Sequence, residues 1–122
     1  MKANELMIGD WVRKLERGGH TIPVKVTGVI DDSVDFERSD GVRGVIDSIG
    51  IDPIPLTDEI LQKNFPEFEQ GYTIGWFPNN VGYQIEWYGD LEDNEIIMKH
   101  VGSVHQLQHI LRLIGSRKEI EL

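Results

Sequence analysis

The chain reads as an α+β protein, with an SH3-like small β-barrel in front and a β-meander packed by a C-terminal helix behind. Three observations predict this. Residues 10–47 hold short Val- and Ile-rich runs separated by turn residues. Aromatic-rich runs return after residue 72, again broken by Asn, Gly and Asp. A run with helical spacing of its apolar residues then occupies 104–114.

The front begins with Ile8-Gly9-Asp10-Trp11-Val12, a Gly-Asp turn entering a strand with a large aromatic. Strands are predicted at 10–15, 22–30, 33–37 and 42–47, with a short one near 49–54. Arg17-Gly18-Gly19, Asp31-Asp32-Ser33 and Ser39-Asp40-Gly41 are the turns between them. Val24 and Val26, then Val34 and Phe36, alternate with polar residues, as a strand with one buried face requires. Trp11 is expected in the core.

Pro53 and Pro55 hold the junction extended. Thr57 is a natural N-cap, followed by Asp58 and Glu59 where the helix dipole favours negative charge. Pro66 ends this short helix at the latest. Strands are predicted at 72–77, 83–88 and 95–101, with turns at 78–82 and 89–94. Ser103 and Gln106 have capping-box spacing at the start of the last helix. Val104, Leu107, Ile110, Leu111 and Ile114 form its apolar stripe, and Gly115 stands where a C′ glycine belongs. Residues 118–122 are predicted as an edge strand. The lobes are 1–56 and 57–122, expected to form one compact unit.

A chain of 122 residues fits one domain or two small lobes. It has no cysteine, which excludes disulfides, thiolate metal sites and cysteine nucleophiles. No signal peptide and no apolar run of about 20 residues is present, so a cytoplasmic protein without membrane contact is expected. The net charge is −9. Phosphate backbones attract basic surfaces, so this balance weighs against nucleic acid and fits a basic protein partner.

Histidines are the first candidate chemistry. His105 and His109 are spaced i, i+4 on one helix face, with His100 nearby, and two imidazoles at that spacing can chelate a metal. Gln106 stands where a zinc-protease motif has Glu, and Arg112 on the same face repels a cation. A solvated polar face opposite the apolar stripe is the plainer expectation. Second comes an acidic cluster, Glu86, Asp90, Glu92, Asp93 and Glu95, with no Lys or Arg among residues 86–95. It lacks the EF-hand pattern, so it reads as a solvated hairpin tip able to meet a basic partner. Third, Trp76, Phe77, Tyr83, Trp87 and Tyr88 occupy adjacent strands. Base stacking wants interleaved cations, and residues 72–98 have none, which leaves a packed core. The basic residues Arg13, Lys14, Arg17, Lys25 and Arg43 are the candidates for nucleic acid. No nucleophile elbow, phosphate loop or dinucleotide fingerprint is present, and no cofactor is implied.

Three stretches carry a resemblance: 3–12 (Ala3-Asn4-Glu5-Leu6-Met7-Ile8-Gly9-Asp10-Trp11-Val12), 53–61 (Pro53-Ile54-Pro55-Leu56-Thr57-Asp58-Glu59-Ile60-Leu61), and 104–108 (Val104-His105-Gln106-Leu107-Gln108) followed by Glu119-Ile120-Glu121-Leu122. Together, in this order, they resemble an uncharacterised family of small proteins from Bacteroides-type gut bacteria and their phages and mobile elements. The resemblance implies an accessory protein, carries no activity, and marks His105-Gln106 as a shared surface or packing motif. The expected function is a non-enzymatic protein-interaction module. The alternatives are a nucleic-acid-binding barrel and a metal-dependent enzyme using His100, His105 and His109.

Overall fold

Alternation of apolar and polar residues builds the first of two units, Met1–Ile54 and Pro55–Leu122. The computed structural model describes residues 1–65, 73–80, 82–88, 95–116 and 118–122, with backbone alone at 73–74, 87–88 and 95–99. The first unit holds a 3-10 turn (Ala3–Glu5), β1 (Trp11–Leu15), β2 (Thr21–Ile30), β3 (Ser33–Arg38), β4 (Arg43–Asp47), a second 3-10 turn (Ser48–Gly50) and β5 (Ile51–Pro53). The five strands form one antiparallel sheet in the order β4-β3-β2-β1-β5. No ladder joins β4 to β5, so the closed form of a barrel is not built.

Leu6, Val12, Val24, Val26, Val34, Phe36 and Ile51 form the core of this unit. Each such side chain contributes about 1.5–3 kcal/mol when fully buried. The residues before β1 are tied down by Asp10, which is buried. Its carboxylate accepts from the Met7 N–H at 2.8 Å, and its carbonyl accepts from the Val26 N–H at 2.9 Å. Trp11 is not in the core. It is half-buried on the face opposite Val12, with Lys25 Nζ 5.7 Å from its ring centroid. In a strand neighbouring side chains point to opposite faces, and Val12 takes the inward position.

Two local departures matter. The pairing of β2 with β3 shifts between Val26 and Gly28, leaving one extra residue in β2. Val24 and Val26 point inward before this bulge, and Val29, paired with buried Val34, packs inward after it. Ile30 therefore faces out. The predicted strand at 49–54 opens instead as the second 3-10 turn, because the Asp47 carboxylate accepts from the Ile49 N–H at 3.0 Å and caps it.

The second unit contains α1 (Asp58–Asn64), β6 (Thr73–Asn79), β7 (Gly82–Tyr88), β8 (Glu95–Val101) and α2 (Val104–Leu113). The strands form an antiparallel meander, β6-β7-β8. Thr57 caps α1 by accepting from the Ile60 N–H at 3.2 Å. Gly82 has φ +147°, and a Cβ there would lie 2.5 Å from the Val101 carbonyl oxygen, so a side chain is excluded. At the end of α2, Gly115 (φ +79°) donates to the Arg112 carbonyl and Ser116 to that of Leu111, which together close a Schellman motif.

Two expectations fail here. Ser103 makes no side-chain cap bond; its hydroxyl lies 3.1 Å from His105 Nδ1, while Gln106 Oε1 accepts from the Gly102 N–H rather than from Ser103. Residues 118–122 form no strand. The backbone of Glu121 is matched instead by the Asn64 side chain, which donates to its carbonyl at 2.8 Å and accepts from its N–H at 2.8 Å. That amide reproduces what a neighbouring strand would supply.

Candidate functional site

The first unit places its second 3-10 turn beside the turn between β2 and β3. Ser48 N–H donates to the Asp32 carbonyl at 2.8 Å, which joins the two segments. The Met1 amino group donates to the carbonyls of Ile51 (3.2 Å) and Ser48 (3.4 Å) on the same side. Between them lies a cleft of about 660 Å³ lined by Met1, Lys2, Ala3, Asn4, Asp31, Asp32, Ser48 and Ile49. Asp31 adopts φ +51°, a left-handed conformation that Asp tolerates at a tight turn.

Ile49 in its lining and Ile30, next in sequence to Asp31, are both exposed. Ile49 is 87% exposed and Ile30 is 69% exposed. The bulge in β2 turns Ile30 outward, and the capped 3-10 turn lifts Ile49. Asp31 and Asp32 are both exposed on the same turn, and no side-chain bond ties either carboxylate to another described residue. Two carboxylates lining a cleft with exposed Ile49 can accept from a cationic or N–H-rich segment while burying apolar surface. The turn signal at Asp31-Asp32-Ser33 was visible in the sequence. Its proximity to Ile49 was not, because only the sheet brings residues 32 and 48 together.

No family model, curated protein or solved structure matches this chain.

The basic candidates do not converge. Trp11, Lys25, Glu37 and Arg43 form one row across β1, β2, β3 and β4 by register, so opposite charges alternate along it. Arg43 Nε lies 3.7 Å from Glu37 Oε1. Lys14 is 3.2 Å from Glu16 and also lies over the Phe36 ring. Arg13 pairs with Asp52 in register, and its Nε is buried without a hydrogen-bond partner among the described residues. Arg17 is exposed in the first turn.

The histidine face is not solvated. His105 and Gln108 are buried along with Val104, Leu107, Ile110 and Leu111, so the buried arc of α2 is wider than its apolar stripe. Leu113 is exposed instead. The rings of His105 and His109 meet edge-on with centroids 5.6 Å apart. His100 is exposed at a break in the pairing of β7 with β8, in a left-handed conformation (φ +62°). Among the described residues no three His, Asp or Glu side chains gather to hold a metal ion.

In the acidic cluster, Glu86 is half-buried and accepts from Gln84 Nε2 at 2.7 Å. Asp90, Glu92 and Asp93 lie outside the described residues, and Glu95 is described by its backbone, paired with Tyr88. Gln106 is exposed but committed to the Gly102 N–H. Tyr83 is buried; its hydroxyl donates to the Asp58 carboxylate, and its ring meets that of Trp76 edge-on. Burial first, then this hydrogen bond and the negative charge of Asp58, push the Tyr83 hydroxyl up to about 12. Among the described residues no helix is long and apolar enough to cross a membrane.

Proposed function

We propose that the chain is a non-enzymatic protein-interaction module whose first unit is an SH3-like half-barrel. The strand order β4-β3-β2-β1-β5, with a 3-10 turn between β4 and β5, supports the half-barrel. The observation that carries the function is the cleft lined by Asp31, Asp32 and the exposed Ile49. Exposed Ile49 beside carboxylates without a side-chain partner among the described residues suits a basic, partly apolar segment of another protein. The three sequence stretches set out first support an accessory protein of Bacteroides-type bacteria, their phages or mobile elements.

The test compares wild type with Asp31→Asn/Asp32→Asn and with Ile49→Ala as baits against lysate of such a host. Wild type is expected to retain a protein that both variants lose. Raising salt to about 0.5 M should weaken retention, since exposed charges are screened at short range there. Equal retention by wild type and the carboxylate variant sinks the reading.

A further inference from the structure

The free edge of the five-stranded sheet is β4, and its sequence is Arg43-Gly44-Val45-Ile46-Asp47. A cation begins it, an anion ends it, and Val45 stands at its centre. We propose that β4 pairs antiparallel with β4 of a second copy of this chain about a two-fold axis at Val45.

Hydrogen-bond direction favours this. Arg38 N–H donates to the Val42 carbonyl, and Ser48 N–H donates to that of Asp32. Bonded and non-bonded pairs alternate in an antiparallel ladder. The 34–46 and 36–44 pairs are therefore bonded pairs of the β3–β4 ladder, and Arg43, Val45 and Asp47 turn their N–H groups to the free edge. No further backbone bond of Arg43 or Val45 to a described residue is present. A copy centred on Val45 makes the two Val45 residues a bonded pair, each donating to the other's carbonyl.

Side chains agree with that register. Arg43 faces Asp47 of the second copy, and Asp47 faces its Arg43. A parallel pairing in register sets like charges together, which costs stability across strands. Val45 is 67% exposed, and the two-fold places it against its counterpart. On the other face Gly44 stands opposite Ile46, with the Phe36 ring of its own chain over the glycine. The opposite edge is weaker: β5 has three residues and ends on Pro53. In the meander, edge strand β6 carries Pro78. A self-complementary edge of this kind is isologous, as a two-fold dimer requires. This inference stands apart from the Asp31–Asp32 cleft.

The experiment measures self-association of the intact chain by sedimentation up to about 1 mM, where association worth only about 4 kcal/mol is still populated. A dimer is expected. Val45→Pro removes an outward N–H without removing a β3–β4 bond and should weaken association by about tenfold or more. Arg43→Glu and Asp47→Arg should each weaken it, and the double variant should restore it. Thermal melting and circular dichroism of each variant establish that it folds. Amide exchange at Val45 should slow as concentration rises. A chain monomeric throughout overturns the proposal, including one that binds only an extended peptide of another protein. A dimer unchanged by Val45→Pro and by both single charge reversals overturns it equally.

Discussion

Tyr83 shows how one hydroxyl ties a strand to a helix. It stands on β7, is buried, and donates to Asp58 in the first turn of α1. Removing it in Tyr83→Phe should cost about 1.5–3 kcal/mol at neutral pH, the usual net worth of a bond to a charged group. The pH dependence is more specific. The unfolded chain loses this proton near 10.0, and the folded protein holds it to about 12. The unfolded state therefore ionises first as pH rises. The Tyr83 contribution is complete below pH 10 and is lost as pH climbs toward 12. Denaturant unfolding should show the gap between wild type and Tyr83→Phe closing over that window. A gap constant across it sinks the assignment. The pattern of Tyr83 and Ile85 alternating with Gln84 and Glu86 was legible as one inward face. Its partner Asp58 was legible only as a residue suited to a helix start, since no local spacing links positions 58 and 83.

Elements were legible where the signal is local. Thr57 caps α1 as its sequence predicts, and Gly115 ends α2 in the expected left-handed turn. Elements were lost where another side chain takes up the groups a local pattern assigns. Ser103 and Gln106 have capping-box spacing, but buried His105 engages the Ser103 hydroxyl. The C-terminal residues have the composition of a strand, yet Asn64 on α1 supplies both of the bonds that a strand neighbour would. Asn64 Nδ2 also donates to the Ile60 carbonyl at 2.7 Å. Asn64→Asp keeps the size and the acceptor for Glu121 N–H but loses the donors to two carbonyls. It should destabilise the protein by about 2 kcal/mol, with faster amide exchange at Glu121 as the local sign. Unchanged stability and exchange would show that the tail is held by other means.

Across the whole molecule, charge decides more than any motif. The net charge is −9, and the basic residues of the first unit are interleaved with Glu16, Glu37 and Asp52 rather than pooled. Nucleic-acid affinity depends on phosphates neutralised together and rises steeply as salt falls. The protein should pass unretained over immobilised DNA and RNA at about 50 mM salt. Retention there that weakens with salt would restore the nucleic-acid reading. Sequence composition already leaned this way; the alternating row from Trp11 to Arg43 was hidden until strand register was known. The three histidines were close in sequence, but the burial of His105 and the outward turn at His100 separate their roles.

The extra residue in β2 has an arithmetic consequence. Side chains of a strand count in twos, so one inserted residue exchanges odd for even from that point onward. Before it, even positions 24 and 26 belong to the interior; after it, odd position 29 does. Ile30 faces outward by that change of parity alone. Deleting Thr27 would remove the extra residue and leave Val26–Phe36, Gly28–Asp35 and Val29–Val34 in an unbroken ladder, with Val29 still inward and Ile30 still outward.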